Sequence, residues 1–257
     1  MGIEKHEENS YDRRKRIFED VLMWRRIRKL RKQWKAAGVA VIAVLWLYGC
    51  QGPYPGIESF QPETGSLFIG RDGVIASGMV EILDQGKREN YQQENLLRFV
   101  FEEVAGFNES LGAPKKAQNE EEGEVLPAAV RSCTLQDDRV TAVFQYKDSA
   151  SFLAFNQNYF GVSERLNHLA VSTVLEARTQ GWLSAGKMVK PGKGTELIPP
   201  EENELERLDK GQMLWIETEQ PVEIQVEGAV RYMTEGVALV KKNIVQVPEG
   251  VHYLIFW

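Results

Sequence analysis

The chain has 257 residues, 43% of them hydrophobic, with 31 Lys+Arg against 37 Asp+Glu and two cysteines. That composition excludes a polytopic membrane protein, a collagen-like repeat, a disulfide scaffold and a wholly disordered chain. The charge is split: residues 1–35 hold twelve basic and six acidic side chains, which leaves 19 basic and 31 acidic residues beyond them, so a head of +6 precedes a body of −12.

The head reads as an export signal. Arg25, Arg26, Arg28, Lys29, Arg31, Lys32 and Lys35 lead into the uncharged stretch Ala36 to Cys50. Its fifteen residues would make a helix of about 22 Å, short of the ~30 Å hydrocarbon core, which suits a signal-peptide core better than a stable span. Positive charge stays on the cytoplasmic side, so the body after Cys50 is expected outside. Residues 1–22 are an unusual addition to such a signal. Either translation starts at Met23, or Ile17, Val21, Trp24, Ile27 and Trp34 form a basic amphipathic helix on the inner leaflet.

The apolar stretch closes on Leu47-Tyr48-Gly49-Cys50. This resembles the lipobox of bacterial lipoproteins, in which an aliphatic residue and two small ones precede an invariant cysteine. Leu47, Gly49 and Cys50 match, while Tyr48 stands where a small or β-branched residue is usual. The resemblance implies cleavage between Gly49 and Cys50 and a diacylglyceryl thioether on Cys50. Two acyl chains, at about 0.8 kcal/mol per buried methylene, hold a protein stably on a membrane where one would not. An uncleaved signal, making a single-pass membrane protein, is the alternative. Gln51-Gly52-Pro53-Tyr54-Pro55-Gly56 begins a stretch to Gly65 that reads as a Pro/Gly-rich tether. With Cys50 acylated, Cys133 has no partner within the chain; it falls in a strand-like run and is expected to be a buried structural thiol.

The body predicts an α+β fold, an antiparallel sheet of hairpin-helix-hairpin-helix layout with helices on one face, followed by a β-rich C-terminal region. Ser66 to Ile69 and Val74 to Leu83 flank an Asp72-Gly73 turn. A helix capped near Asn90 and Gln93 then presents Leu96, Val100, Val104, Phe107 and Leu111 on one face. Glu120-Glu121-Glu122-Gly123-Glu124 reads as a solvated loop and not a metal site, because consecutive acids do not converge on an ion. Val130 to Gln136 and Arg139 to Tyr146 form a second hairpin. Phe152, Phe155, Tyr159 and Phe160 follow at helical spacing, and Leu166, Ala170, Thr173, Val174 and Ala177 continue a helical stripe. Residues 186–212 read as an irregular linker. From 213 to 257, six short runs of β-branched and aromatic residues end in Leu254-Ile255-Phe256-Trp257, too apolar to be left unpacked. The domains are thus residues 1–49 as signal, 50–65 as tether, 66–185 as α+β domain, 186–212 as linker and 213–257 as β-rich region.

Phe68 to Gly73, Met79-Val80-Glu81, Phe144 to Asp148, Leu153 to Asn156 and Val226 to Tyr232, taken with the lipobox, resemble in arrangement a group of uncharacterised lipoproteins of clostridial-type Gram-positive bacteria. The resemblance implies an extracytoplasmic location on the outer face of the cytoplasmic membrane and points to no particular activity or ligand.

No Gly-x-Ser-x-Gly elbow or His-Glu-x-x-His motif occurs, and no residue is singled out as catalytic or as a metal or cofactor ligand. His168, on a predicted helix face, and His252, in the terminal strand, read as ordinary core or surface histidines. A body of −12 repels phosphate, which speaks against nucleic acid. The expected partners are the membrane, through the diacylglyceryl anchor, and an envelope component or protein. A non-catalytic binding module is the leading expectation. A hydrolase of glycan or peptide, working through carboxylates or a carboxylate with His168 or His252, is the alternative.

Overall fold

The computed structural model describes residues 56–83, 93–119, 124–158, 166–184, 187–192 and 196–257. The expectations resting on Gly49, Cys50, Asn90, Glu120 to Gly123, Tyr159 and Phe160 lie outside the described residues.

Strands β1 (Ser66–Ile69) and β2 (Ile75–Ile82) pair antiparallel around the Asp72-Gly73 turn. Asp72 Oδ1 accepts from Val74 N at 3.1 Å, and Gly73 takes φ 82°, a backbone conformation that favours glycine. Helix α1 (Gln93–Ser110) follows and buries Leu96, Val100, Val104 and Phe107, as their spacing predicts. Leu111 does not join them. The helix ends at Ser110, Gly112 turns to φ 76°, and Leu111 is left 52% exposed. Asn108, fully buried, stands at this helix end. Its Nδ2 donates to the carbonyls of Lys116 and Ala128 at 2.7 and 2.8 Å, and its Oδ1 accepts from Ala128 N at 2.9 Å. One side chain therefore satisfies three backbone groups that would otherwise be left unpaired.

β3 (Ala128–Gln136) and β4 (Arg139–Tyr146) make the second hairpin, with Asp137 at φ 54° in its turn. Helix α2 (Ser149–Asn158) starts where Asp148 Oδ1 accepts from Ser151 N at 2.7 Å. It delivers Phe152 and Phe155 into a ring cluster with Phe107, Phe144 and Tyr146, centroids 5.1 to 5.6 Å apart.

The helical stripe does not continue. Leu166–Thr173 is strand β5, paired with β8 (Gln212–Thr218), and a helix, α3 (Val174–Thr179), begins only after it. Thr173 makes that change. Its Oγ1 accepts from Glu176 N at 3.2 Å while Glu176 Oε2 accepts from Thr173 N at 3.2 Å, a reciprocal capping box. Within 186–212, read as irregular, β6 (Met188–Pro191) and β7 (Leu197–Ile198) form. Then come β9 (Val222–Val226), β10 (Val230–Thr234), β11 (Ala238–Lys241), β12 (Ile244–Val247) and β13 (Gly250–Phe256).

The fold is mixed α and β with a β-rich C-terminal region, but the strands form two sheets. A seven-stranded sheet runs β11-β12-β9-β1-β2-β4-β3, and a six-stranded one runs β5-β8-β13-β10-β6-β7. The expected single antiparallel sheet with helices on one face is corrected by this arrangement: strands of the C-terminal region enter both sheets, and β9 lies parallel to β1.

Strand alternation assigns each face. Leu67, Ile69, Ile75, Phe144 and Ile224 from the larger sheet share one core with Leu214, Ile216, Leu254 and Phe256 from the smaller, together with the buried residues of α1 and α2. The outward face of the smaller sheet, with Met213, Tyr232, Tyr253 and Ile255, is covered by Val174, Ala177 and Trp182. The outward face of the larger sheet, with Phe68, Ala76 and Val143, is covered by Ile57 and Phe60.

Candidate functional site

The segment that leads out of Cys50 meets the fold early. Ile57–Ser59 form a 3-10 turn, and Ile57 and Phe60 are buried against Phe68, Ala76 and Val143. Pro62 continues the strap over Gly78, where an added Cβ would come within 2.3 Å of the proline Cβ, and Arg139 Nη2 donates to the carbonyl of Glu63 at 2.7 Å. Part of the stretch read as a tether is therefore packed. Only six residues separate Cys50 from Ile57, a reach of about 25 Å at full extension.

At the strap's start two of the motifs singled out in the sequence come together. Arg71 N donates to Glu227 Oε2 at 2.9 Å, Arg71 Nε donates to Glu227 O at 3.3 Å, and Glu227 N donates to Ile69 O at 2.9 Å. Gly56, at φ 112°, lies against this junction; a Cβ there would sit 3.0 Å from Glu227 Cδ. Phe68 to Gly73 and Val226 to Tyr232 thus lock β1 to β9 beside Gly56.

On the outward face of the smaller sheet, Glu204 is a heavily engaged carboxylate. It accepts from Lys190 Nζ at 2.6 and 2.9 Å, from Tyr232 Oη at 2.7 Å and from Glu201 N at 2.7 Å. The Lys190 and Tyr232 hydrogen bonds hold its carboxyl down to about 2, and burial, then Glu204, pushes the Tyr232 phenol up to about 12. A carboxylate so low and so fully bonded is a poor proton donor or acceptor near neutrality. It acts as a clasp that ties 201–208 to β6 and β10.

The histidines are placed apart from it. His168 lies in β5 and not on a helix, its ring 4.1 Å from that of Trp215, which also meets Trp182 and Tyr253. Glu217 stands opposite it in the β5–β8 register without a hydrogen bond between the two. His252, in β13 as expected, contacts the Glu249 carbonyl through Nε2 at 3.2 Å. Cys133 is a free, buried thiol in β3, and burial pushes it up to about 11. Among the described residues no group of three or more His, Cys, Asp and Glu is placed to hold a metal ion, and no helix is long and apolar enough to cross a membrane.

A groove of about 470 Å³ runs between β7 and β11, lined by Glu196, Leu197 and Ala238 to Lys242. It holds one carboxylate and two amines, and neither histidine lines it.

No protein-family model matches the chain, and neither does any curated protein or solved structure. The functional reading therefore rests on the chain's own residues. Sequence reasoning missed the Glu204 clasp and the groove. Glu204 lies in the acidic run Glu201-Glu202-Asn203-Glu204, with no local sign of Lys190 or Tyr232. The groove joins edge strands of two sheets, which no local pattern marks.

Proposed function

We propose that the chain is a lipid-anchored extracytoplasmic protein, held on the outer face of the cytoplasmic membrane by a diacylglyceryl thioether on Cys50, whose folded part is a non-catalytic binding module of the envelope. The observation that carries this reading is the order of the N-terminus: seven basic residues between Met23 and Ala36, an uncharged stretch, then Leu47-Tyr48-Gly49-Cys50. The fold adds support on two counts. Ile57, seven positions after Cys50, is already buried, so the anchor and a packed residue are close in the chain. Cys133, the other cysteine, is buried with a raised thiol, so it does not compete for modification. The binding role is supported by the surroundings of the titratable groups: Glu204 serves as a clasp, and both histidines sit within sheet strands.

Labelled palmitate fed to cells making the full chain tests the anchor. Label is expected in the wild type and absent from Cys50→Ala, which should also keep residues 1–49. An unlabelled wild type overturns the anchor. A labelled but full-length product would keep the lipid and remove cleavage between Gly49 and Cys50.

A further inference from the structure

We propose that the groove between β7 and β11 binds an extended, acidic segment of a partner protein, which adds as a strand to the free edge of β11 and lays alternate apolar side chains against Leu197 and Val240. This deepens the binding-module reading and rests on it for the nature of the site, but not on the lipid anchor.

β11 is the outermost strand of the seven-stranded sheet, hydrogen-bonded to β12 on one side only, and β7 is the outermost strand of the six-stranded sheet. The groove between them is bounded on both sides by strand edges, the surface to which peptides add by main-chain hydrogen bonding. The four residues of β11 span about 13 Å at ~3.3 Å per residue, enough to pair a short strand. Apolar contact is on offer: Val240 is 55% and Leu197 37% exposed.

Charge selects the occupant. Lys241 and Lys242 are exposed at one end of the groove, and neither amine reaches a carboxylate among the described residues. Lys187 and Lys190 are instead spent on Glu235 and Glu204. Against these two amines the groove sets one carboxylate, Glu196, so its lining is net positive on an otherwise acidic body and attracts acidic residues over basic ones. Lysine on an edge strand also resists pairing with like copies, so Lys241, the last residue of β11, protects the edge and, with Lys242 in the turn that follows it, admits an acidic strand.

The test uses the full chain in detergent micelles and a displayed library of random heptapeptides as the probe. Recovered peptides are expected to alternate apolar and acidic residues, and the best, made synthetically, should bind with an affinity that falls as salt rises. Lys241→Glu/Lys242→Glu, a change at exposed positions that should leave the melting temperature in place, is expected to weaken binding at least tenfold. N-methylation of alternate peptide amides should abolish binding, because it removes the ladder while keeping the side chains. The proposal is overturned by recovery of no acidic consensus, by unchanged affinity in the charge-reversed variant, or by undiminished binding of the N-methylated peptide. A concentration-dependent dimer that the same variant abolishes would give the edge to a second copy, which also overturns it. Palmitate labelling of Cys50 is unaffected by any of these results, so failure of this site and failure of the anchor are separable.

Discussion

The two sheets each carry an outward face that must be covered, and the chain covers them by different physics. The larger sheet is closed by the strap, where Ile57 and Phe60 pack on Phe68, Ala76 and Val143 and Pro62 rests on Gly78. The smaller sheet is closed by α3, the 182–184 turn and residues 201–208, the last held by the Glu204, Lys190 and Tyr232 clasp. Apolar burial is indifferent to pH, whereas a hydrogen-bonded carboxylate is not. The strap is therefore a cover whose packing does not respond to pH, and the cover of the smaller sheet is the one that acid can loosen.

Deleting residues 253–257 attacks what both covers depend upon. Leu254 and Phe256 face the shared core while Tyr253 and Ile255 face the outer cover, and all four are buried. With each large apolar side chain contributing about 2–5 kcal/mol, losing the four removes about 8–20 kcal/mol, as much as the ~5–15 kcal/mol of an ordinary domain's stability. No cooperative melt is expected by calorimetry; an unchanged melting temperature would contradict the shared role of β13.

Phe60→Ala sharpens the contrast. Removing a ring that is 6% exposed should cost about 3 kcal/mol in chemical denaturation and speed proteolysis between residues 56 and 65, with the same cost at pH 3 and pH 7. A cost that changes with pH would erase the distinction between the covers.

Glu204→Gln gives the smallest effect and the opposite pH behaviour. The Glu204 carboxyl is lowered from 4.5 to about 2 in the fold, so its contribution is complete above about pH 4.5 and disappears as pH falls through about 2. At neutral pH the variant should lose under about 1 kcal/mol, as partly exposed ion pairs do. Wild type and variant melts are expected to converge as pH falls toward 2. Parallel curves throughout would show that the clasp does not hold the cover.

The shift from strand to helix at Thr173 marks how far local patterns reach. Leu166, Ala170, Thr173, Val174 and Ala177 match a helical stripe, yet β5 occupies the first part because β8 is available to pair with it. A local sign was present: Thr173-Val174-Leu175-Glu176 has the spacing of a capping box and dates the helix start to Val174. Leu111 fails for a related reason, since Gly112 ends the turn that would have kept it on the buried face. His168 moved from helix to strand with β5. The groove and the clasp had no local sign at all.

Turn residues, alternation and helical spacing act within a few positions, and they alone were enough to mark the two hairpins, α1, the strands after residue 212 and the basic-then-apolar segment ending at Cys50. Pairing acts across the whole chain. Arg71 and Glu227 meet from 156 positions apart, β1 takes a parallel partner from the C-terminal region, and the strap finds Gly78. Such contacts are selected by which surfaces exclude water together once the elements exist, and neither partner's neighbours in the chain carry that information.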